Sequence, residues 1–213
     1  MRVRRRQFPR PTGVMPCSEF GRDQEDTISM KQTLAERILS HAAGRPVRPG
    51  DLVVVPVDRA MAVDSIAPSV ISVLRKELGA HVRHPERVAI FIDHVAPAAN
   101  IATADAQVGL RRFAAEEGIT HLYDVGRGVC HQVMIEEGLV QPGQIAIGAD
   151  SHSTSYGAVG AFGTGMGASD VAMAWASGRT WLRVPETIRI RARGRFQPGV
   201  GPKDLSLHVA RVI

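Results

Sequence analysis

The segment Gly148-Ala149-Asp150-Ser151-His152-Ser153-Thr154-Ser155-Tyr156-Gly157 sets a carboxylate, a hydroxyl and an imidazole side by side, between an apolar stretch and a run of glycines. A carboxylate beside a histidine fixes the imidazole tautomer and raises its basicity. The pairing recurs at Asp93-His94, after Val88-Ala89-Ile90-Phe91-Ile92, and a third imidazole stands at Cys130-His131, after Tyr123-Asp124-Val125. Open α/β sheets place their chemistry at the carboxyl ends of buried strands. One histidine in such a place is commonly structural. Three of them, two with an adjacent aspartate or one close by, point to a site that handles protons, because each buried imidazole without a partner costs free energy.

These side chains need elements to hold them. Thr33-Leu34-Ala35-Glu36 has the capping-box pattern, Leu34, Ile38 and Leu39 form an apolar stripe, and Gly44 follows as a stop. The pattern predicts strands over 51–57, 87–92, 119–125, 144–149 and 186–193. It predicts helices over 65–78, with Pro68 in the first turn and Gly79 at the end, and over 99–117, 132–137 and 169–178. Residues 51–57 read as a buried strand. Residues 186–193 alternate Arg with apolar or small residues, the pattern of a half-exposed one. Strands and helices alternate and most strands are continuous apolar runs, which implies a layered α/β domain without internal repeats.

Length and composition narrow the classes. A chain of 213 residues can form one large or two small domains. No apolar run approaches the roughly 20 residues of a membrane span. The net charge of +5 comes mainly from arginine, 23 of the 26 basic residues, and these are scattered. With no basic helix and 5% aromatics, a nucleic-acid platform is not expected. The two cysteines, Cys17 and Cys130, form no Cys-x-x-Cys pair, and no signal-peptide core is visible. That pattern implies a reducing, cytoplasmic setting, and two isolated thiols cannot by themselves hold a zinc ion or an iron–sulfur cluster. Residues 1–29 are rich in Pro and Arg and lack periodicity. They read as a disordered extension or a mis-called start, with Met30 the natural beginning of a domain over 30–213. Glu19, Asp23, Glu25 and Asp26 argue against a transit peptide.

The glycines at 157, 160, 163, 165 and 167 invite a dinucleotide-binding reading, which fails on spacing. Starting at Gly165 puts Asp170 where the third glycine belongs; starting at Gly163 puts Ala168 there, without a tight preceding strand. No Gly-Lys-Ser/Thr occurs, so a phosphate-binding P-loop is excluded. Two readings remain: close packing of backbone on backbone, or backbone N–H groups approaching an anionic substrate or inorganic cluster. The second suits the adjoining Asp-Ser-His better.

Taken together, the motifs resemble the aconitase superfamily, in particular the large subunits of 3-isopropylmalate dehydratase and homoaconitase. The matching pieces are Asp93-His94, then Gly126-Arg127-Gly128-Val129-Cys130-His131-Gln132-Val133-Met134, Glu136-Glu137-Gly138 and Gly148-Ala149-Asp150-Ser151-His152. They continue with Tyr156-Gly157-Ala158, Gly163-Thr164-Gly165-Met166-Gly167-Ala168-Ser169-Asp170 and Trp181-Leu182-Arg183-Val184-Pro185-Glu186-Thr187-Ile188. The resemblance runs from Met30 to Ile213, in order.

It implies an aconitase-type layered α/β domain and a hydro-lyase that isomerises a hydroxy polycarboxylate, such as isopropylmalate in leucine biosynthesis, by dehydration and rehydration. It also implies a 4Fe–4S cluster whose open iron acts as a Lewis acid, and a separate small subunit as partner. By resemblance His94, oriented by Asp93, protonates the departing hydroxyl. His131, Asp150 and His152 set the protons around the reacting oxygen, and Ser151 donates to a substrate carboxylate. Family large subunits are about twice this length. The resemblance therefore places the cluster cysteines and the deprotonating serine beyond Ile213 and gives this chain no metal ligand. The chain then reads as an N-terminal part, a split gene product or a truncated frame. The alternatives are a non-catalytic α/β module that lacks the cluster ligands and a homoaconitase-like or other substituted-malate dehydratase.

Overall fold

Strand Arg59–Val63 (β2) is the middle of the structure, and four of its five residues are buried. In this computed structural model, which describes residues 32–212, β2 is flanked on both sides by parallel neighbours. On one side lie Val88–Phe91 (β3) and His121–Tyr123 (β4); on the other lie Ile145–Gly148 (β5) and Phe162–Gly165 (β6). The order β4-β3-β2-β5-β6 is parallel throughout, with Ala62 opposite Ile90 and Ala60 opposite Ile147. The chain moves outward from β2 to β4, then returns to the other side of β2 at β5. That reversal is the switch point at which α/β sheets leave a crevice above their carboxyl ends.

Alternate residues of the sheet enter two cores. Ala60, Ala62, Val88, Ile90, Ile145 and Ile147 pack on one face; Met61, Val63, Ala89, Phe91 and Ala146 pack on the other. The first face is covered by helices Leu34–Ala43 (α1), Ala67–Ser72 (α2), Ile101–Glu117 (α3) and Ala168–Ser177 (α5). The second is covered by Cys130–Glu136 (α4) and the 3-10 segment Ser151–Val159. Burial on both faces is why the strands read as continuous apolar runs. The capping box of α1 forms as expected: Glu36 N–H donates to the Thr33 hydroxyl at 3.3 Å, the Glu36 carboxylate accepts from Thr33 N–H at 2.6 Å, and Gly44 closes the helix at φ 65°.

Several expectations need correction. Residues 51–57 do contain a strand, Leu52–Pro56 (β1), but it leaves the main sheet and pairs antiparallel with Arg179–Arg183 (β7). Only one of its faces is covered, so Leu52 and Val54 are exposed rather than buried. The strands β2, β6 and β7 were not expected. In β2, two alanines and a methionine carry little β propensity, and β6 is half glycine. Residues 186–193 form no strand and are exposed, since alternation alone does not make a strand without a neighbour to pair with. The helix expected over 65–78 is α2 followed by the π-helical turn Val73–Glu77. A final helix, Pro202–Val212 (α6), buries none of its residues. The expectations for residues 1–29, Cys17 among them, lie outside the described residues. Among the described residues, no helix is long and apolar enough to cross a membrane.

Candidate active site

Asp150 is the hub of the crevice. It lies two residues past the end of β5, its side chain is 10% exposed, and three histidines approach it. The Asp150 carboxylate accepts from the His152 backbone N–H at 2.8 Å and from His131 Nε2 at 2.7 Å. His94 Nε2 lies 3.4 Å from its second oxygen, and His152 Nδ1 lies 3.4 Å from its first. Burial pushes the Asp150 carboxyl upward, but the His152 N–H, the His131 hydrogen bond and the His131 and His94 charges outweigh it, so its pKa is lowered overall.

His94 is held from the other side. Its Nδ1 donates to Asp93 Oδ1 at 2.8 Å, and Asp93 Oδ2 accepts the Cys130 N–H at the start of α4 at 2.7 Å. Burial lowers the His94 pKa, while the Asp93 hydrogen bond and the charges of Asp93, Asp150 and Asp64 raise it further, so the net shift is upward. With Nδ1 committed to Asp93, the proton on Nε2 is the one His94 can give away. Its side chain remains 35% exposed, open to a reactant from the crevice.

His131, carried by α4, is the more buried partner of Asp150, and its Nδ1 faces the Tyr156 hydroxyl at 3.4 Å. His152 is 78% exposed and stands at the rim. The exposed Ser151 hydroxyl lies 3.2 Å from His152 Nδ1 and is free to meet a ligand from solvent. The structure thus brings together Asp93, His94, His131, Asp150 and His152 and leaves Ser151 beside the cluster's outermost member.

Two of the glycines that follow, Gly163 and Gly165, are close-packing positions. A Cβ on Gly165 would sit 2.6 Å from the Asp150 carbonyl oxygen, and one on Gly163 would sit 2.9 Å from Tyr156 Cβ. Their absence lets the 151–159 segment lie against β6, with the Ser153 hydroxyl donating to the Asp150 carbonyl at 2.9 Å. Gly160 turns the chain back at φ 80°. For Gly163 and Gly165 these contacts bear out the close-packing reading.

Three polar groups of the site were given no role from the sequence: Asp64 and Gln107 carried no signal, and Tyr156 stood in a matching motif without an assignment. Tyr156 is fully buried, and burial pushes its hydroxyl well above the ordinary tyrosine range. Asp64 and Gln107 are also buried, and both bond the backbone next to His94. Asp64 follows β2, so the strand that was not expected concealed the residue at its end. Cys130 is buried and its thiol is raised well beyond the ordinary range by burial and by Asp93, which makes it a poor thiolate.

The model of the aconitase family (aconitate hydratase) matches residues 36–213. The chain belongs to the aconitase family. It is 61% identical over 184 residues to the homoaconitase large subunit of Thermus thermophilus, covering 86% of this chain and 44% of that protein. It is 57% identical over 186 residues to the 3-isopropylmalate dehydratase large subunit of Herpetosiphon aurantiacus, again 86% of this chain and 44% of the relative. With the 3-isopropylmalate dehydratase large subunit 1 of Deinococcus radiodurans it shares 55% identity over 202 residues, 95% of this chain and 45% of the relative. This aconitase-family chain spans under half the length of these relatives, and its parallel sheet and site fall within the matched region.

Proposed function

We propose that this chain carries the proton-handling half of a hydro-lyase that dehydrates and rehydrates a hydroxy polycarboxylate, either isopropylmalate or a hydrated form of homoaconitate. The observation that supports the reading is the convergence of three imidazoles on Asp150 above the switch point of the sheet. Dehydration breaks a carbon–oxygen bond, and the departing oxygen needs a proton as the bond breaks. His94, partly exposed, can carry one on Nε2, 3.4 Å from Asp150, and its neutral form keeps the Nδ1 hydrogen bond to Asp93. Asp150 stays ionised beside it and steadies the protonated form. In rehydration the same imidazole takes the proton back. His131 orients Asp150, and Ser151 and His152 at the rim meet a substrate carboxylate.

A 4Fe–4S cluster would supply a Lewis-acidic iron for the substrate hydroxyl. The residues of this chain do not fit such a cluster: it has two cysteines, and the described one, Cys130, is buried with a raised pKa. We place the cluster ligands in the part of the relatives' length that this chain does not match, and the remaining substrate contacts there and in a small subunit, the partner implied by relatives named large subunits. Leucine biosynthesis is the setting that the 3-isopropylmalate dehydratase names suggest, and the cytoplasmic setting rests on the two isolated cysteines alone.

The test joins this chain to the missing length of a close relative, supplies a small subunit, and follows the ultraviolet absorbance of an unsaturated polycarboxylate during hydration. Hydration of isopropylmaleate or homoaconitate supports the reading. An assembled, cluster-loaded protein that hydrates neither would favour a non-catalytic module.

A further inference from the structure

We propose that Asp64 and Gln107 are positioning residues for His94, forming a buried clamp that aims its imidazole at Asp150. The inference rests on the reading of His94 as the proton donor. Asp64 leaves β2 just as the chain turns, and it is 4% exposed. Its two carboxylate oxygens accept from two consecutive backbone N–H groups, His94 at 3.0 Å and Val95 at 3.1 Å. Its own N–H donates to the Phe91 carbonyl at 2.8 Å, tying the ends of β2 and β3 together. From the opposite side Gln107 of α3, also 4% exposed, donates its side-chain amide to the Val95 carbonyl at 3.1 Å.

The backbone around His94 is therefore fixed by side chains from two other elements. A buried carboxylate is costly unless its hydrogen bonds are filled. The two N–H groups fill them for Asp64, and in return they remove the freedom of the turn that carries the imidazole. An asparagine could accept one N–H but would present its own NH₂ to the other. The charge matters as well. Asp64 is one of three carboxylates around His94, with Asp93 on the same loop and Asp150 after β5; the Cys130 thiol of α4 lies beside it, and the His131 and His152 imidazoles stand across Asp150. Removing one negative charge makes the protonated imidazole less favourable.

Asp64→Asn and Gln107→Leu test the clamp in the assembled enzyme. Supporting partners of catalytic groups are worth about 10- to 100-fold in activity, so each variant should lower kcat by about that factor with little change in KM. In a His94→Ala background the same substitutions should add almost nothing. A merely structural role would lower both backgrounds alike, and that result overturns the proposal. Nitrogen NMR of histidine-labelled protein gives a readout that needs no turnover: Asp64→Asn should move the His94 ring shifts and carry its titration to lower pH. Should Asp64→Asn fail to fold, Gln107→Leu, which removes a neutral donor only, decides by the same kcat cycle and by the ring shifts. Unchanged His94 shifts in folded variants overturn the clamp. Full turnover in His94→Ala would instead overturn the acid assignment, while the ring shifts still judge the clamp.

Discussion

Among the described residues, two clusters join histidine to a carboxylate largely withdrawn from solvent, one at each end of the parallel sheet. At the amino-terminal end, Glu117 at the close of α3 meets the Arg75 guanidinium, His81 Nδ1 at 3.1 Å and the Val82 N–H at 2.8 Å. At the carboxyl end, Asp150 meets His94, His131 and His152. The partners differ in one respect that decides the roles. Arg75 is permanently charged, so Glu117 has a fixed counter-ion and the exposed His81 only adds to it. Among the described residues the basic groups beside Asp150 are imidazoles, a side chain that can both give and take a proton. The first arrangement staples an element; the second can pass a proton to a substrate and recover it.

The sharpest way to break this contrast is to remove the two hubs in turn. Asp150→Asn should lower turnover by about 10²- to 10⁴-fold, the range associated with a positioned acid–base group. Steady-state kinetics on assembled enzyme, with the melt recorded alongside, reads that effect. Glu117→Leu strands the Arg75 charge and the Val82 N–H. It should cost about 1–3 kcal/mol in denaturant unfolding while the folded enzyme keeps its kcat. If Glu117→Leu matched Asp150→Asn in kinetics, the division into staple and proton site would be wrong.

Gly165→Ala probes how the site is seated. Its methyl would lie 2.6 Å from the Asp150 carbonyl oxygen. Overpacking of this kind costs about 1–3 kcal/mol, and here it also displaces Asp150, so stability and turnover should fall together. A fully active, fully stable Gly165→Ala protein would show that the 150–159 segment has slack.

The pH dependence of stability follows from the signs at the site. His94 is raised above its ordinary 6.5, so its contribution is complete below that value and fades as pH rises through the folded pKa. Asp150 is lowered below its ordinary 3.8, so its contribution is complete above that value and fades as pH falls through the folded pKa. Denaturation midpoints should therefore drop at both extremes, and His94→Ala should flatten chiefly the alkaline flank, with a smaller change on the acid flank because the His94 charge helps to lower Asp150. An unchanged alkaline flank in that variant would contradict the raised His94 pKa. The smallest effect belongs to His84→Ala: this half-exposed side chain reaches only Glu86 among the acids, at 3.5 Å, and stability should stay within about 0.5 kcal/mol. A larger loss would reveal a role that its loop position does not suggest.

Much of this arrangement was legible in the residues. Asp93, His94, His131, Asp150 and His152 could be singled out because chemistry-bearing types stood at the ends of apolar runs, and β3 and β5 are strongly apolar, β-branched or aromatic strands. Most of the helices were found because caps and stripes are local signals: Thr33, Gly44, Gly118 and Gly138 bound them. What stayed hidden was decided by distant contacts. Residues Arg59 to Val63 look helical by propensity and become the central strand only because β3 and β5 flank them. With β2 unseen, Asp64 had no reason to stand beside His94, 30 positions along the chain. The Arg-alternating segment 186–193 shows the converse, a strand pattern without a strand to pair with.

The most direct test is the turnover of His94→Ala in assembled, cluster-loaded enzyme, measured with its iron content and thermal melt. A fall of about 10²- to 10⁴-fold with iron content close to the parent and a melt that stays cooperative is the expected result, because the imidazole gives the proton while Asp93 keeps its bond to the Cys130 N–H. Near-parental turnover in a folded, loaded His94→Ala enzyme would contradict the account.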